Sequence, residues 1–490
     1  MELKEKVVKG VFWSGAQTWG ARAVSFVVFA LLSRLLTPQT FGVVALASLF
    51  ITFIQTFQDQ GFGTAIVQRA ELQRSHLDTA FWTNMIFGVT MTLVSIGASG
   101  LIAGLFDEPD LAEIVRWLSP VFIFAGLSGV QQAILKRELA FKKLALREIL
   151  AIVAGGIVGV VLAFLGFGVW SLVAQTLTKR LVGVVVLWGV SDWRPSFRFS
   201  KKHFTELFSF GLNIIGTNVL NFLNGHADDL LIGYFLGSTQ LGLYTVAYRL
   251  FGMTKSLLTS VIMSVTFPTF SRLQDDLERL RRIFYQALFY TSLMAFPVFL
   301  GILVTAPELI PVLFGPQWAD SIPVLRVLTF IGILHSIQYF HGSVIVALGK
   351  PSWRLGMIFL NAVTNVIAFA IAVRWGIVAV AAAYVIRGYL LAPIGIWMVK
   401  KLAKIDLKIY FRQFLMPLLG SLAMVVVVLG LKYLIGNALG LEMQLVIYVL
   451  VGGLSYVLVM QLMEPSLKPQ LLKLIQLAIP ERYSSRIWRR

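Results

Sequence analysis

Runs of about twenty apolar residues recur about fourteen times along the chain, separated by short polar connections. A helix needs roughly 20 mostly apolar residues to cover ~30 Å of hydrocarbon. Lipid offers the backbone no partners, so each run must satisfy its own amides and carbonyls as a helix. The ~10-residue alternation of a membrane barrel is missing. The predicted spans are 11–35, 41–66, 80–105, 115–136, 147–166, 168–190, 207–235, 241–267, 283–306, 321–348, 355–374, 377–399, 412–434 and 443–463. Polar residues interrupt the second and fourth most.

Composition agrees. Hydrophobic residues make up 57% of the 490 and charged residues 13%, and the mean hydropathy is +0.80. There is no cysteine, so disulfides, thiolate nucleophiles and Cys-ligated metals are excluded. The net charge of +18 raises nucleic acid as a partner. The bases lie between spans, however, and no nucleic-acid module accompanies them. The first run is longer than the apolar core of a cleaved signal and contains Arg22, so it is expected to be retained.

The bases fall on one side. Lys4, Lys6 and Lys9 share it with Arg69 and Arg74, then Lys136, Arg137, Lys142, Lys143 and Arg147. Arg194 to Lys202, Arg272 to Arg282, Lys350, Arg354 and Lys400 to Arg412 continue the pattern. The opposite side holds the acidic loop Asp107, Glu108, Asp110 and Glu113. Lysine and arginine mark the cytoplasmic face, which predicts both termini in the cytoplasm. The tail after Pro465 is basic and weakly amphipathic, and is expected along the inner membrane surface.

The chain repeats itself. Leu36-Thr37-Pro38-Gln39-Thr40-Phe41-Gly42 is echoed by Leu236-Gly237-Ser238-Thr239-Gln240-Leu241-Gly242, 200 positions on. Gly168-Val169-Trp170 leads to Lys179 as Gly376-Ile377-Val378 leads to Arg387, 208 positions on. Six helices return the chain to its starting side, so the repeat is parallel, about an axis along the membrane normal. The fold class predicted is all-α and polytopic: two six-helix lobes, 1–200 and 201–400, two further helices within 401–465, and a basic tail, 466–490. Gly155 and Gly159 form a small-xxx-small pair suited to close helix packing.

Charges within spans are costly, roughly +2.5 to +3.5 kcal/mol each on insertion scales. Here they are Arg22, Asp59, Lys179, Arg180, Asp228, Asp229, Arg249, Lys255, Arg326 and Arg387. Cations outnumber anions, which suits a cavity that receives an anion. The planar guanidinium fork fits phosphate. Asp59 lies in an unusually polar stretch, Gln55 to Gly63, and is a candidate for binding a coupling cation or pairing with Arg22. Asn218, Asn221 and Asn224 form an i, i+3, i+6 stripe that lines a cavity for sugar hydroxyls or forms a helix–helix seam. Asp228 and Asp229 follow as coupling or pairing candidates. His335 and His341 lack a metal-ligand pattern, and no metal site or cofactor is expected.

Three stretches carry a resemblance: Ser33 to Gly42, Asp59 to Gln68, and Leu236 to Leu250. With the helix count and the repeat, the chain resembles the polysaccharide-transporter (Wzx-type) branch of the MOP flippase superfamily, most of all the colanic-acid exporter type. The resemblance implies a MATE-like fold and an inner-membrane location. It implies a substrate, an oligosaccharide on undecaprenyl pyrophosphate, flipped from the cytoplasmic to the periplasmic leaflet. It implies pyrophosphate binding in a cationic cavity at Arg22 and Arg249, and an acidic position at Asp59. Lys179 and Arg387 join that set through their equivalent places in the repeat. In some relatives the last two spans form a lipid-facing groove, which the resemblance suggests as the place of the polyprenyl tail. A polysaccharide polymerase and assembly proteins are further expected partners. Coupling to a proton or sodium gradient stays open, and no Walker A pattern occurs. A peptidoglycan-precursor flippase and a drug antiporter share the fold. A membrane polymerase or glycosyltransferase is the rival from another class, but the outer loops are short and carry no nucleophile–base pattern.

Overall fold

The structure is a computed structural model. It describes residues 2–58, 62–69, 71–436 and 438–465, with side chains for all of these except 2–18, 202–204, 206–215, 217 and 259–269. Asp59 and the predicted tail 466–490 therefore lie outside the described residues.

In chain order the helices are α1 (Glu2–Leu35), α2 (Pro38–Gln58), α3 (Phe62–Gln68), α4 (Arg74–Phe106), α5 (Pro109–Leu118), α6 (Val121–Arg137), α7 (Phe141–Phe164) and α8 (Val169–Val190). Then come α9 (Lys201–Arg272), α10 (Leu277–Phe314), α11 (Ile322–Gln338), α12 (His341–Ala347), α13 (Pro351–Ala372), α14 (Ile377–Ala403), α15 (Leu407–Ile435) and α16 (Leu441–Met463). Among the described residues there is no strand, and 12 helical stretches are long and apolar enough to cross a membrane. One of them, Asn218–Leu258, has 41 residues, or about 60 Å at 1.5 Å per residue, twice a bilayer core. It breaks at Gly237, whose φ of 81° is open to glycine and strained for other residues. Its two arms count separately, and α1 completes the predicted fourteen.

The predicted spans and the helices coincide closely. The two interrupted spans are interrupted in the structure as well. The second divides into α2 and α3. The fourth divides into α5 and α6 at Ser119-Pro120, where proline supplies no amide to the ladder. Arg137 then donates to the carbonyls of Ile66 and Arg69 at the end of α3, which would otherwise be orphaned.

The helices gather into two compact units. The first comprises Met1–Met253, Leu313–Val324 and Leu355–Arg387. Within it α7 packs on α8 and on α1, and α4 on α6. Glycines set these crossings. A Cβ at Gly155 or Gly159 would press on Gln175, Lys179 or Ser171 of α8, and one at Gly156 on Val28 of α1. Gly88 and Gly126 let α4 and α6 meet backbone to backbone. The small-xxx-small reading of Gly155 and Gly159 therefore holds.

The repeated motifs meet in the same unit. A Cβ at Gly42 would overlap the carbonyl of Ser238, and a Cβ at Gly242 would overlap the carbonyl of Pro38. Positions 42 and 242 correspond in the repeat, as do 38 and 238. Each copy thus presents the same surface to the other, the reciprocity a two-fold axis imposes. Around this junction Trp318 Nε1 and Gln317 Nε2 both donate to the Ser33 carbonyl at 2.8 Å, and Ser321 Oγ donates to the Leu243 carbonyl at 2.7 Å.

The second unit comprises Thr254–Val312, Leu325–Arg354 and Gly388–Arg490. Lys432 of α15 donates to both carboxylate oxygens of Glu308 on α10 at 2.7 Å and to the Val304 carbonyl at 2.7 Å. Its ammonium lies 5.2 Å from the Tyr448 ring centre on α16. His341 Nε2 and the Tyr410 hydroxyl are 3.0 Å apart in the core of this unit, which is the packing role the sequence favours over metal binding.

A cation- and amide-lined cavity and its surroundings

The first unit contains an open cavity of about 880 Å³. Its wall is polar for a membrane-spanning bundle. Gln55, Gln58, Gln68, Asn84, Gln132, Asn218 and Asn221 bring amides, and Thr52, Thr56, Thr64 and Ser128 bring hydroxyls. Phe62, Phe124 and Phe222 supply apolar faces. The charged groups of the wall are Lys136, Arg147 and Arg180. Among the described residues no carboxylate lines it.

Each element positions its part of the wall. The C-terminal end of α2 gives Gln55 and Gln58, and Gln58 also donates from Nε2 to the Phe122 carbonyl at 2.8 Å. Lys136 lies in the last turn of α6, and Arg147 lies six residues into α7, in its second turn. Arg147 is held at several atoms: Nε to the Gly183 carbonyl at 3.3 Å and Nη1 to Glu148 at 3.4 Å, and, with the Gln132 amide turned so that its oxygen faces the guanidinium, Nη1 and Nη2 to that oxygen at 2.9 and 3.1 Å. Gly183 makes room for it, since a Cβ there would lie 3.0 Å from Nη2. Arg180 and Lys136 are exposed into open space and, among the described residues, make neither ion pair nor hydrogen bond. His226, also on the wall, is engaged by Asp229 at 3.0 Å.

The predicted site residues divide among several surroundings. Asn218 and Asn221 line the cavity, but Asn224 receives hydrogen bonds from Asn365 Nδ2 at its Oδ1, 2.6 Å, and its carbonyl, 3.2 Å. Both readings of the stripe therefore apply, one to each part. Three residues turn a helix by about 300°, so the stripe drifts by about 60° per step. Asp228 is buried and accepts from the Tyr244 hydroxyl at 2.7 Å. Tyr244 stacks on Tyr248 at 5.7 Å, and Tyr248 lies beside Tyr384 at 6.5 Å. Arg387 continues this polar chain, 5.4 Å from the Tyr384 ring centre and donating to Asn361 Oδ1 at 2.6 Å. Asp228 and Asp229 are therefore both engaged by neighbours, Tyr244 and His226.

Of the four cations expected at a phosphate, Lys179 pairs with Glu148 at 3.3 Å. Arg249 is different. Its guanidinium carbon lies 4.0 Å from the Phe29 ring centre, and among the described residues no carboxylate pairs with it. Arg22 is half-buried on α1, two turns before Phe29. Seven residues put Arg22 on the same side of α1 as Phe29, the ring that Arg249 covers; Lys179 and Arg387 have partners in Glu148 and Asn361.

The comparisons with known proteins decide the family. A family model described as "Polysaccharide biosynthesis protein" matches residues 31–323, more than half of the chain. The chain belongs to this polysaccharide biosynthesis family. Over 96% of its length it is 27% identical to the teichuronic acid biosynthesis protein TuaB of Bacillus subtilis, covering 98% of that protein. It is 30% identical to the lipopolysaccharide biosynthesis protein WzxC of Escherichia coli over 71% of each chain. It is also 30% identical to the succinoglycan biosynthesis transport protein ExoT of Rhizobium meliloti over 68% of each. In fold it is similar to the lipid II flippase MurJ in an inward closed conformation, with a TM-score of 0.74 over 93% of this chain and 99% of that one, at 18% identity. An inward-facing MATE transporter of the MOP superfamily follows at 0.63, over 79% and 95%, at 19% identity. The family member described here is thus an all-helical membrane protein with the MOP fold.

Sequence reasoning placed Lys136 and Arg147 among the topology charges and missed them as cavity residues. Their position at helix ends is what the positive-inside rule reads, and it says nothing about which way each side chain turns. The available signal was Lys136 and Arg147 at predicted span ends together with Arg180 inside a span, alongside a polar stretch in the second span.

Proposed function

We propose that this chain is a flippase for a lipid-linked oligosaccharide. It moves the glycan and its pyrophosphate from the cytoplasmic to the periplasmic leaflet of the inner membrane by alternating access, without making or breaking a covalent bond. Undecaprenyl pyrophosphate is the proposed carrier, and exopolysaccharide, O-antigen or capsule synthesis the proposed context. Both termini are cytoplasmic in this reading. Two six-helix lobes, 1–200 and 201–400, rock about the repeat axis. The last two spans contact the lipid tail, and polymerase and assembly proteins take up the product.

The observation that carries this reading is the cavity of about 880 Å³ among membrane-crossing helices, walled by amides, hydroxyls and cations. Such a wall replaces the hydration of sugar hydroxyls and oxyanions that hydrocarbon cannot supply. Family membership supports the polysaccharide pathway. In this reading Arg22 and Arg249 hold the pyrophosphate, with Lys179 and Arg387 adding charge nearby. Arg249, which no described carboxylate pairs with, is costly at rest, and a phosphate that neutralises it recovers that cost. The substrate is thereby preferred over a neutral lipid. A cationic wall also disfavours cationic drugs as cargo.

Deletion of the gene tests the reading. Lipid-linked oligosaccharide is expected to accumulate in the cytoplasmic leaflet, and the purified chain in vesicles is expected to restore its access to the opposite leaflet. Accumulation of an unglycosylated carrier, or vesicles without movement, would refute it. Collapsing the proton and sodium gradients separately in the same vesicles assigns the coupling ion.

A further inference from the structure

Between α8 and α9 the chain runs from Ser191 to Ser200 without helix or strand, yet it is pinned to α4. The Ser196 N–H donates to Asp78 Oδ1 at 3.0 Å, and the Ser196 carbonyl accepts from Trp82 Nε1 at 2.9 Å. The Ser200 N–H donates to Thr79 Oγ1 at 3.1 Å. The Arg198 N–H also reaches the Ser196 carbonyl, at 2.8 Å, and this bond closes a tight turn with Phe197 at its tip. Nearer α8, Arg194 donates from Nη2 to the Trp188 carbonyl at 2.8 Å and caps that helix. The tip is therefore held on both flanks, and Phe197 on it is 93% exposed. A fixed apolar ring turned outward is unfavourable in water.

What covers the ring follows from where the tip sits. Phe197 stacks on Trp82, with ring centres 4.9 Å apart. Trp82 begins a stripe along α4 that continues through the exposed side chains of Ile86, Val89 and Leu93, a spacing that keeps one helix face. The hydrocarbon stretch of α4 read from the sequence is 80–105. Phe197 is thus level with the first turn of that stretch and extends its lipid-facing stripe. Arg74, Arg198 and Lys201 are exposed at the same end of the helices, with Asp192 the exposed acid of the connection. We infer that this connection is a membrane anchor. Phe197 inserts at the boundary of headgroups and acyl chains, and Arg198, with Arg74 and Lys201, holds the phosphates of anionic lipid. The ring favours that boundary for its apolar side, and the bases favour it for its negative surface potential. The inference goes beyond the flippase reading, because it concerns the lipid around the chain and not the cargo. It ties the link between the predicted lobes to the leaflet, where a free linker would lie in water.

The test uses the full chain in vesicles of phosphatidylcholine and phosphatidylglycerol. Phe197→Cys and Asp192→Cys, each made in the cysteine-free chain, carry a bimane label. Iodide quenches the label from water, and a nitroxide high on the lipid acyl chain quenches it from the leaflet. The label at 197 is expected to emit to the blue, to be quenched by the nitroxide and to be shielded from iodide. The label at 192 is expected to show the reverse. Equal iodide quenching at the two positions overturns the inference. The unlabelled Phe197→Cys thiol repeats the test without an apolar label. In opened vesicles it is expected to react with a charged thiol reagent more slowly than the Asp192→Cys thiol, and equal rates overturn the inference. Omitting phosphatidylglycerol, or adding Arg198→Gln, is expected to raise iodide access at 197 by up to about fivefold, the worth of one base at an anionic surface. Arg198→Lys is expected to leave it unchanged. A label at 197 indifferent to both changes overturns the contact with anionic lipid. Shielding that vanishes when the vesicles hold single copies assigns the tip to a second copy of the chain, and overturns the inference as well. Equal unfolding midpoints for the variants exclude misfolding as the cause.

Discussion

At the scale of single residues, the informative charges are those whose partners the structure does or does not supply. Arg249 lies 4.0 Å over the Phe29 ring, a contact that leaves its donors available for a substrate oxyanion. Arg249→Met is expected to lower transport of the lipid-linked oligosaccharide at least about tenfold at normal abundance, the worth of one charged hydrogen bond. Arg249→Lys is expected to fall between, since it keeps the charge and loses the fork. Transport assays in vesicles read both. Lys432 is the opposite case. Its ammonium is committed to Glu308 and Val304, with only 20% and 10% of the two side chains exposed. Lys432→Met strands a carboxylate and is expected to cost about 3 kcal/mol. Adding Glu308→Leu is expected to recover most of it, seen as the unfolding midpoint in detergent. A Lys432→Met midpoint equal to that of the unmodified chain would remove the clamp from the account.

At the scale of elements, glycine separates helix faces that touch backbone from those that touch lipid. Gly42 and Gly242 meet the opposing copy's backbone, whereas Gly97 and Gly100 on α4 have nothing within 4 Å of an added Cβ. Gly42→Leu or Gly242→Leu is therefore expected to abolish folding or stable expression. Gly97→Ala and Gly100→Ala are expected to stabilise α4 by about 0.5–1 kcal/mol each, because alanine is the better helix former. Comparison of expression and unfolding midpoints across the four variants checks the contrast. Most of these elements were legible in the sequence. Span ends fell close to helix ends because a bilayer imposes length and apolarity on every crossing. Even the two interrupted spans were marked by their polar residues. The division of the asparagine stripe was not legible: Asn218 and Asn221 reach the cavity and Asn224 reaches Asn365, and only the neighbouring helix decides where a drifting stripe changes role.

At the scale of the whole molecule, the two-fold junction and the charge bias make separate predictions. The chain has no cysteine, so single cysteines report topology without background. Asp110→Cys in the acidic loop is expected to react with an impermeant thiol reagent in intact cells. Asp192→Cys, between α8 and α9, is expected to react only after the membrane is opened. The reverse pattern would invert the orientation and with it the direction of transport. The repeat itself was visible as two echoes 200 and 208 positions apart. Its consequence, Gly42 on Ser238 and Gly242 on Pro38, appears only once both copies are folded against each other.

The sequence by itself determined the membrane class, the number of crossings, the repeat and the family, because lipid acts on every residue of a span through one rule, apolarity over a fixed length. It also showed that bases exceed acids within the spans. Only the tertiary structure decided which bases are spent and which are available. Glu148 takes Lys179, Asn361 and Tyr384 take Arg387, and Arg180 and Lys136 are left facing a cavity. Pairing depends on distances of a few ångströms between helices far apart in the chain, and hydrophobic periodicity carries no record of those distances.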